Sequence, residues 1–260
     1  DTLDFDPADT DEILLGKKAG MVVKKYFSAR TCSQITKNFW QHPNNRSARD
    51  FPASIVGTSH YQQTLPNYFS VVKQYTPQMD LLFNGTQHIF NHILDTMRDY
   101  FKTKNITLRN AQYNSQTAFP FIMQAWSDSG SYALVPHEDR SYCSAPEQSG
   151  FEIQQAAKNG VIAVNICVQN EIDSGQLYYW NTLIDDQIRN DLDLGYSGRN
   201  YPVEMLEETE RQIITVETGD IYCFNAAAIH AVSALKSNIE RITLSFLMAY
   251  LDNDTVLYWI

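Results

Sequence analysis

Val161-Ile162-Ala163-Val164-Asn165-Ile166-Cys167-Val168 is a strongly β run with one polar residue, Asn165, inside it. Gly175-Gln-Leu-Tyr-Tyr-Trp180 is a second strand pattern after it. Upstream lie Thr117 to Trp126 and Tyr132 to His137, separated by the turn Ser127-Asp-Ser-Gly-Ser131. Downstream, Gln212 to Glu217, a Gly219-Asp220 turn and Ile221 to Phe224 read as strand, turn and strand. Arg241 to Tyr250 is a long final apolar strand. Short strands at this spacing, with turn residues between them, predict a sandwich or barrel.

The chain changes character before this region. Up to about residue 110 it reads mainly helical. Asp11 to about Phe27 mixes apolar and basic residues at helical spacing, and the clearest helix runs from about Gln78 to Lys104. In the latter, Ile89, Phe90, Ile93, Leu94, Met97, Tyr100 and Phe101 recur at three- and four-residue steps and share a face. Gln41 to Asp50 reads as a polar loop. Residues 182–210 are polar and acidic, with a short helix near Glu204 to Arg211. No repeat, low-complexity tract or linker divides the chain, and 260 residues suit one domain. Residues 1–110 would support a β core formed by residues 111–260.

Composition narrows the function. Hydrophobic residues make up 43% and charged residues 19%, ordinary for a globular protein with a sizeable core. A net charge of −10 gives nucleic-acid binding little support and mildly favours a cationic ligand. No stretch approaches the roughly 18 apolar residues of a membrane span, and the first residues do not resemble a signal peptide. Cys32, Cys143, Cys167 and Cys223 are widely spaced, which reads as free thiols in a cytoplasmic protein. The Asn-x-Ser/Thr triplets at Asn45, Asn84, Asn105 and Asn253 read as chance matches.

Four residues carry the chemistry: His137 and Asp139 in Pro136-His-Glu-Asp, His230 in Ala-Ile-His-Ala-Val, and Arg241 in Glu-Arg-Ile-Thr-Leu. In a strand, positions i and i+2 share a face, so His137 and Asp139 can reach one ion while Glu138 points away. Two imidazoles and one hard carboxylate are the ligand set of a mononuclear non-haem Fe(II) site with open coordination positions. His230 would complete the set from a distant strand. Arg241 offers a planar fork for a carboxylate, and Thr243 shares its face. Ile242, Leu244 and Phe246 would pack behind them.

This ordered combination, with Gly219-Asp220 about ten residues before His230, resembles the Fe(II)/2-oxoglutarate-dependent dioxygenases. Their pattern is His-x-Asp/Glu, a Gly-Asp turn, a distal His and then Arg or Lys. Ser174-Gly175-Gln-Leu is similar to their Gly-Gly-x-Leu turn, with serine in place of the first glycine. The resemblance covers about Phe119 to Tyr250. It implies a mainly β fold with α: a double-stranded β-helix, jelly-roll and cupin-like, with an N-terminal helical layer. It further implies His137, Asp139 and His230 as iron ligands, Arg241 with Thr243 as the 2-oxoglutarate anchor, and dioxygen as the other cosubstrate. The layout is also similar to small stand-alone iron halogenases that act on free metabolites. Those carry Gly or Ala at the carboxylate position, where this chain has Asp139, so hydroxylation of an unactivated C–H bond is expected in place of halogenation.

Other candidates stay open at this level. Tyr132 and Asn165 lie on core strands, where each can bind 2-oxoglutarate or substrate, or be a satisfied buried group. Trp180 can line the substrate pocket, and Glu138 and Arg140 can face its entrance. His88 and His92 have i, i+4 spacing but no third ligand. His42 and His60 read as solvated loop histidines. Asp185, Asp186, Asp191 and Asp193 read as a solvated loop, or as a lid drawing in a basic substrate. Desaturation, ring formation or epimerisation can follow from the same iron chemistry, and a cupin-like protein without 2-oxoglutarate is the alternative from another class. The expected partner is a small molecule, an amino acid or specialised metabolite, with a homodimer as an option.

Overall fold

The structure, a computed structural model, describes residues 4–47, 53–127, 130–236 and 238–260. From Ile122 to Asp252 the strands alternate between two facing sheets, except for one consecutive pair that shares the smaller sheet. Ile122–Trp126 lies in the larger sheet and Tyr132–His137 in the smaller; Ile162–Gln169 returns to the larger. Leu177–Leu183 and Arg211–Ile214 belong to the smaller sheet, Ile221–Asn225 to the larger, Ala228–Ser233 to the smaller and Arg241–Asp252 to the larger. This winding is the double-stranded β-helix, and its strands pair antiparallel.

The larger sheet runs Gly20–Val23, Ile221–Asn225, Ile162–Gln169, Arg241–Asp252, Ile122–Trp126, Ala53–Val56 and Arg46–Ser47. Thr255–Trp259 turns back on the end of Arg241–Asp252 and pairs in parallel with Thr107–Asn110. The smaller sheet runs Arg211–Ile214, Leu177–Leu183, Ala228–Ser233 and Tyr132–His137.

Ile162–Gln169 is buried on both faces apart from its last residue, which explains its unbroken apolar pattern. Along Arg241–Asp252 the alternation is as expected. Ile242, Leu244 and Phe246 join the main core, where the Phe246 ring meets Phe90 edge-on at 5.4 Å. Phe90 belongs to helix Ile89–Thr103, which also buries Ile89, Ile93, Leu94, Met97 and Phe101.

The N-terminal region departs from its expected outline. Asp11 to Phe27 is not one helix. Helix Pro7–Leu14 stops before Gly16, whose φ is +69°, and Gly20–Val23 joins the sheet edge. A Cβ at Gly20 would lie 2.7 Å from the Cys223 carbonyl oxygen, so that pairing requires glycine. The Gln78 to Lys104 helix is interrupted: residues 84–88, with Gly85 at φ +75°, separate a 3₁₀ segment Thr76–Phe83 from helix Ile89–Thr103. Helices Ala29–Gln41 and Leu65–Tyr75 and the strands Arg46–Ser47, Ala53–Val56 and Thr107–Asn110 also lie in this region, so it is not purely helical support. Arg46–Ser47 pairs within the expected Gln41 to Asp50 loop, whose last three residues lie outside the described residues.

Residues 182–210 contain helix Asp186–Asp191 and the 3₁₀ turn Val203–Leu206; Arg211 already starts a strand, which corrects the helix expected near Glu204 to Arg211. The segment's apolar residues, Ile184, Leu192, Leu194, Tyr201, Met205 and Leu206, pack on Trp180, Ile229 and Ala231. It therefore buttresses the outer face of the smaller sheet. The four cysteines are buried free thiols. Among the described residues, no helix is long and apolar enough to cross a membrane.

Candidate active site

His137 ends its strand and pairs in register with His230 on the neighbouring strand. The two rings lie 4.1 Å apart, centroid to centroid. Asp139, just past the strand end, donates its backbone N–H to the Ala226 carbonyl at 2.8 Å, which folds the chain back toward His230. Its carboxylate oxygens lie 3.4 Å from His230 Nε2 and 3.9 Å from His137 Nε2. One ligand atom from each residue lies within 4.8 Å of the other two.

The imidazoles are oriented so that they could hold a metal ion. His137 Nδ1 donates to the Val135 carbonyl at 2.8 Å and His230 Nδ1 to the Ala228 carbonyl at 2.9 Å. That choice of tautomer turns both Nε2 lone pairs inward. Burial, then the neighbouring His230, hold His137 down at about 3, so it is neutral at ordinary pH. Burial raises the Asp139 carboxyl, but the hydrogen bond and charge of His230, then His137 and Arg199, outweigh it and set it at about 2. Phe224 closes the far side of His230 with ring centroids 4.7 Å apart, and Tyr142 Oη donates to Asp139 Oδ1 at 3.4 Å. Two imidazoles that turn Nε2 inward and an ionised carboxylate fit a divalent iron.

Arg241 lies on the inner face of the larger sheet and is 1% exposed. Its Nη2 donates to Tyr222 Oη at 2.7 Å, while its buried Nε has no hydrogen-bond partner among the described residues. A buried guanidinium with an unused donor fits a carboxylate ligand. Thr243 lies two residues on, on the same face, and Asn165 lines the adjoining strand, where its Oδ1 accepts from Ser245 Oγ at 2.6 Å. Gly175 guards the arginine. Its φ is +53°, and a Cβ there would come within 3.0 Å of Arg241 Cδ.

Tyr222 was not legible as a site residue, although it follows the Gly219-Asp220 turn by two residues. Strand alternation then places Tyr222 and Phe224 on one face. A cleft of about 610 Å³ runs from Met21 and Gln212 to Tyr179, Tyr222 and Phe224. The buried Tyr179 hydroxyl lacks a partner among the described residues. Arg199 was also missed. It bridges to His137 through the backbone, and its guanidinium lies 4.4 Å from the Tyr61 ring centre. Nothing in the local sequence of the 182–210 segment distinguishes it.

Several other expectations move. Trp180 and Tyr132 lie in the cluster on the outer face of the smaller sheet, around Tyr178, not beside the histidines. Their roles as pocket wall and cosubstrate ligand have no support in this placement. Glu138 is 2% exposed and accepts from Arg140 N at 2.6 Å, Ser141 N at 3.0 Å, Tyr201 Oη at 3.3 Å and Ser141 Oγ. It braces the turn after His137 instead of facing an entrance. Arg140 reaches the Ile184 carbonyl at 3.1 Å. His60 and His42 are buried, not solvated. His60 Nδ1 is bonded to Gln148 Oε1 at 2.7 Å and His42 Nε2 to the Gln78 carbonyl at 3.0 Å. His88 caps its helix and stacks on Phe83, and His92 bonds Tyr26.

Residues 3–260 match the family model described as carrier-protein-independent halogenase WelO5. The chain belongs to this family. It is 27% identical, over 248 residues, to L-isoleucine 3(1)-dioxygenase of Pantoea ananatis (strain AJ13355), covering 92% of this chain and 82% of that protein. In fold it is similar to an N-substituted L-amino acid dioxygenase from Burkholderia ambifaria AMMD, with a TM-score of 0.65 at 11% identity, covering 98% of this chain and 91% of the other. The epimerase SnoN from nogalamycin biosynthesis shares the fold with a TM-score of 0.54 at 12% identity, covering 96% and 88%. This member of the family is an Fe(II)- and 2-oxoglutarate-dependent dioxygenase, an oxidoreductase acting on a small molecule.

Proposed function

We propose that the enzyme hydroxylates an aliphatic C–H bond of an α-amino acid, with release of succinate and carbon dioxide. The observation that carries this reading is Asp139, whose carboxylate converges with His137 and His230 on one point. A carboxylate there fills the position that Gly or Ala would leave open to chloride. The family model bears a halogenase name, but this site is arranged for hydroxylation. The amino-acid substrate is supported by the names of the Pantoea relative and the Burkholderia fold neighbour.

In this proposal His137, Asp139 and His230 hold the iron, and Arg241 with Thr243 holds the far carboxylate of 2-oxoglutarate. When bound, iron and 2-oxoglutarate supply an oxidative decarboxylation that turns dioxygen against an unactivated C–H bond. The remaining work belongs to the chain. The Val135 and Ala228 carbonyls keep both imidazoles in the metal-binding tautomer. Tyr222 steadies the Arg241 fork, so little order is lost when a carboxylate binds. Phe224 and the 4% exposure of both histidines keep bulk water off the reacting face.

The test is an anaerobic titration with Fe(II) and then 2-oxoglutarate, followed in the visible spectrum, with Arg241→Ala alongside. A charge-transfer band in wild type that is lost in the variant, followed by succinate release and a +16 Da product with an L-amino acid, supports the reading. Bound iron without a band would favour a cupin-like protein, and failure to bind iron would end the proposal.

A further inference from the structure

We propose that the Tyr179 hydroxyl donates a hydrogen bond to bound 2-oxoglutarate, holding it from the sheet opposite Arg241. This rests on the placement of iron and 2-oxoglutarate proposed above and adds a binding residue to it.

Tyr179 stands in a row that crosses the smaller sheet. His137 pairs with His230, His230 with Tyr179, and Tyr179 with Gln212. Residues directly opposite each other on neighbouring strands share a face, so Tyr179 projects to the same side as the two histidines. It is 4% exposed. Gln212, at the end of the row, lines the same cleft as Tyr179.

Across from this row the larger sheet presents a wall of two rings. Tyr222 and Phe224 lie nearly parallel, 8° apart in plane and 6.3 Å between centroids. Phe224 meets His230, and Tyr222 holds Arg241 through its hydroxyl. The wall thus runs from the histidines to the arginine. The Tyr179 ring meets Phe224 edge-on, with centroids 6.0 Å apart, and all three rings line one cleft. The Tyr179 hydroxyl therefore opens on the space that the wall bounds.

That space has donors in want of an acceptor. Tyr179 Oη and Arg241 Nε are buried, and neither has a hydrogen-bond partner among the described residues. Tyr222 Oη already accepts from Arg241. A guanidinium offers no acceptor, and a tyrosine keeps its proton at neutral pH. Ionised carboxylates are acceptors only, and 2-oxoglutarate carries two of them. Packing alone does not call for the oxygen: phenylalanine would meet Phe224 in the same way without burying a polar atom.

The experiment compares wild type, Tyr179→Phe and Arg241→Ala as the full chain loaded with Fe(II), without dioxygen. Iron and 2-oxoglutarate binding are followed by calorimetry and by the visible band. Thermal unfolding is recorded on the iron-loaded protein before 2-oxoglutarate is added. Tyr179→Phe should bind iron as wild type does and 2-oxoglutarate roughly 10- to 100-fold more weakly. Before 2-oxoglutarate is added it should melt at or above the wild-type temperature, because an unpaired buried hydroxyl is gone. A hydroxyl that only supports the fold would shift melting the other way, so a lower melting temperature overturns the inference. Wild-type affinity in Tyr179→Phe, with affinity lost in Arg241→Ala, also overturns it and leaves the Arg241 anchor standing. Wild-type affinity in both variants overturns the anchor and this inference together.

Discussion

His137 and His230 face each other as a cross-strand pair, and the pairing shifts register immediately beyond them. His137 is the last residue of its strand, so the chain can turn there and bring Asp139 in beside both rings. His230→Ala should therefore remove a ligand without disturbing the strand. Iron affinity should fall at least ~100-fold, and hydroxylation with it, while the far-ultraviolet spectrum stays as in wild type. Chelation of wild type should abolish activity, and Fe(II) should restore it.

Arg241 is bonded to Tyr222, and the Gly175 turn has no room for a side chain beside it. Arg241→Ala should raise the apparent KM for 2-oxoglutarate about 10- to 100-fold, the value of a charge-assisted hydrogen bond. Tyr222→Phe should raise it by about 10-fold or less. Gly175→Ala should behave like a mild Arg241 variant, because the new methyl lies against Arg241 Cδ and Leu235. A cosubstrate titration of the three proteins gives the order; unchanged affinity in Gly175→Ala would separate the turn from the arginine.

In the proposed function, Asp139 decides between oxygen and halogen transfer. Asp139→Gly should lose most hydroxylation and, in chloride buffer, acquire a chlorinated product detectable by mass. Chlorinated product from wild type would contradict the role given to the carboxylate.

His60 should make stability pH-dependent. Burial, partly offset by Gln148 and Asp139, lowers its value to about 4 from an ordinary 6.5. Between these values the unfolded chain binds the extra proton and the folded chain does not. Stability should therefore be full above pH 6.5 and fall as the pH drops toward 4, by up to about 3 kcal/mol. Urea midpoints at pH 4.5 and 7 should differ less in His60→Gln than in wild type.

Glu138 holds the turn between the two residues of the His-x-Asp pair. Glu138→Gln turns some of its acceptor sites into donors that face donors, and should cost about 1–3 kcal/mol. That corresponds to a melting temperature lower by roughly 2–12 °C for a chain of this size. Iron binding per folded molecule should change little, which calorimetry with and without metal can separate.

The legible part of this protein lies where local pattern and tertiary role coincide. Ile162–Gln169 and Arg241–Asp252 are buried strands whose apolar runs have no helical alternative. Helix Ile89–Thr103 shows its core face in three- and four-residue steps. Less legible were Gly16, Gly20 and Gly85, each of which interrupts a helical pattern through backbone geometry. The strands at Ala53–Val56 and Thr107–Asn110 are too short to declare a period.

The sequence by itself determined the chemistry of the site: two imidazoles, a carboxylate in place of a small residue, and an arginine fork, ordered along alternating strands. Those are matters of residue identity and i, i+2 spacing, which survive any arrangement of the strands. Only the tertiary structure decided which polar residues share that site. Tyr222 and Arg199 come in because sheet pairing and a loop crossing carry them there; Tyr132 and Trp180 go out because their strands present them to the 182–210 segment. A periodicity says which residues share a face, but what covers that face is settled by segments distant in the chain.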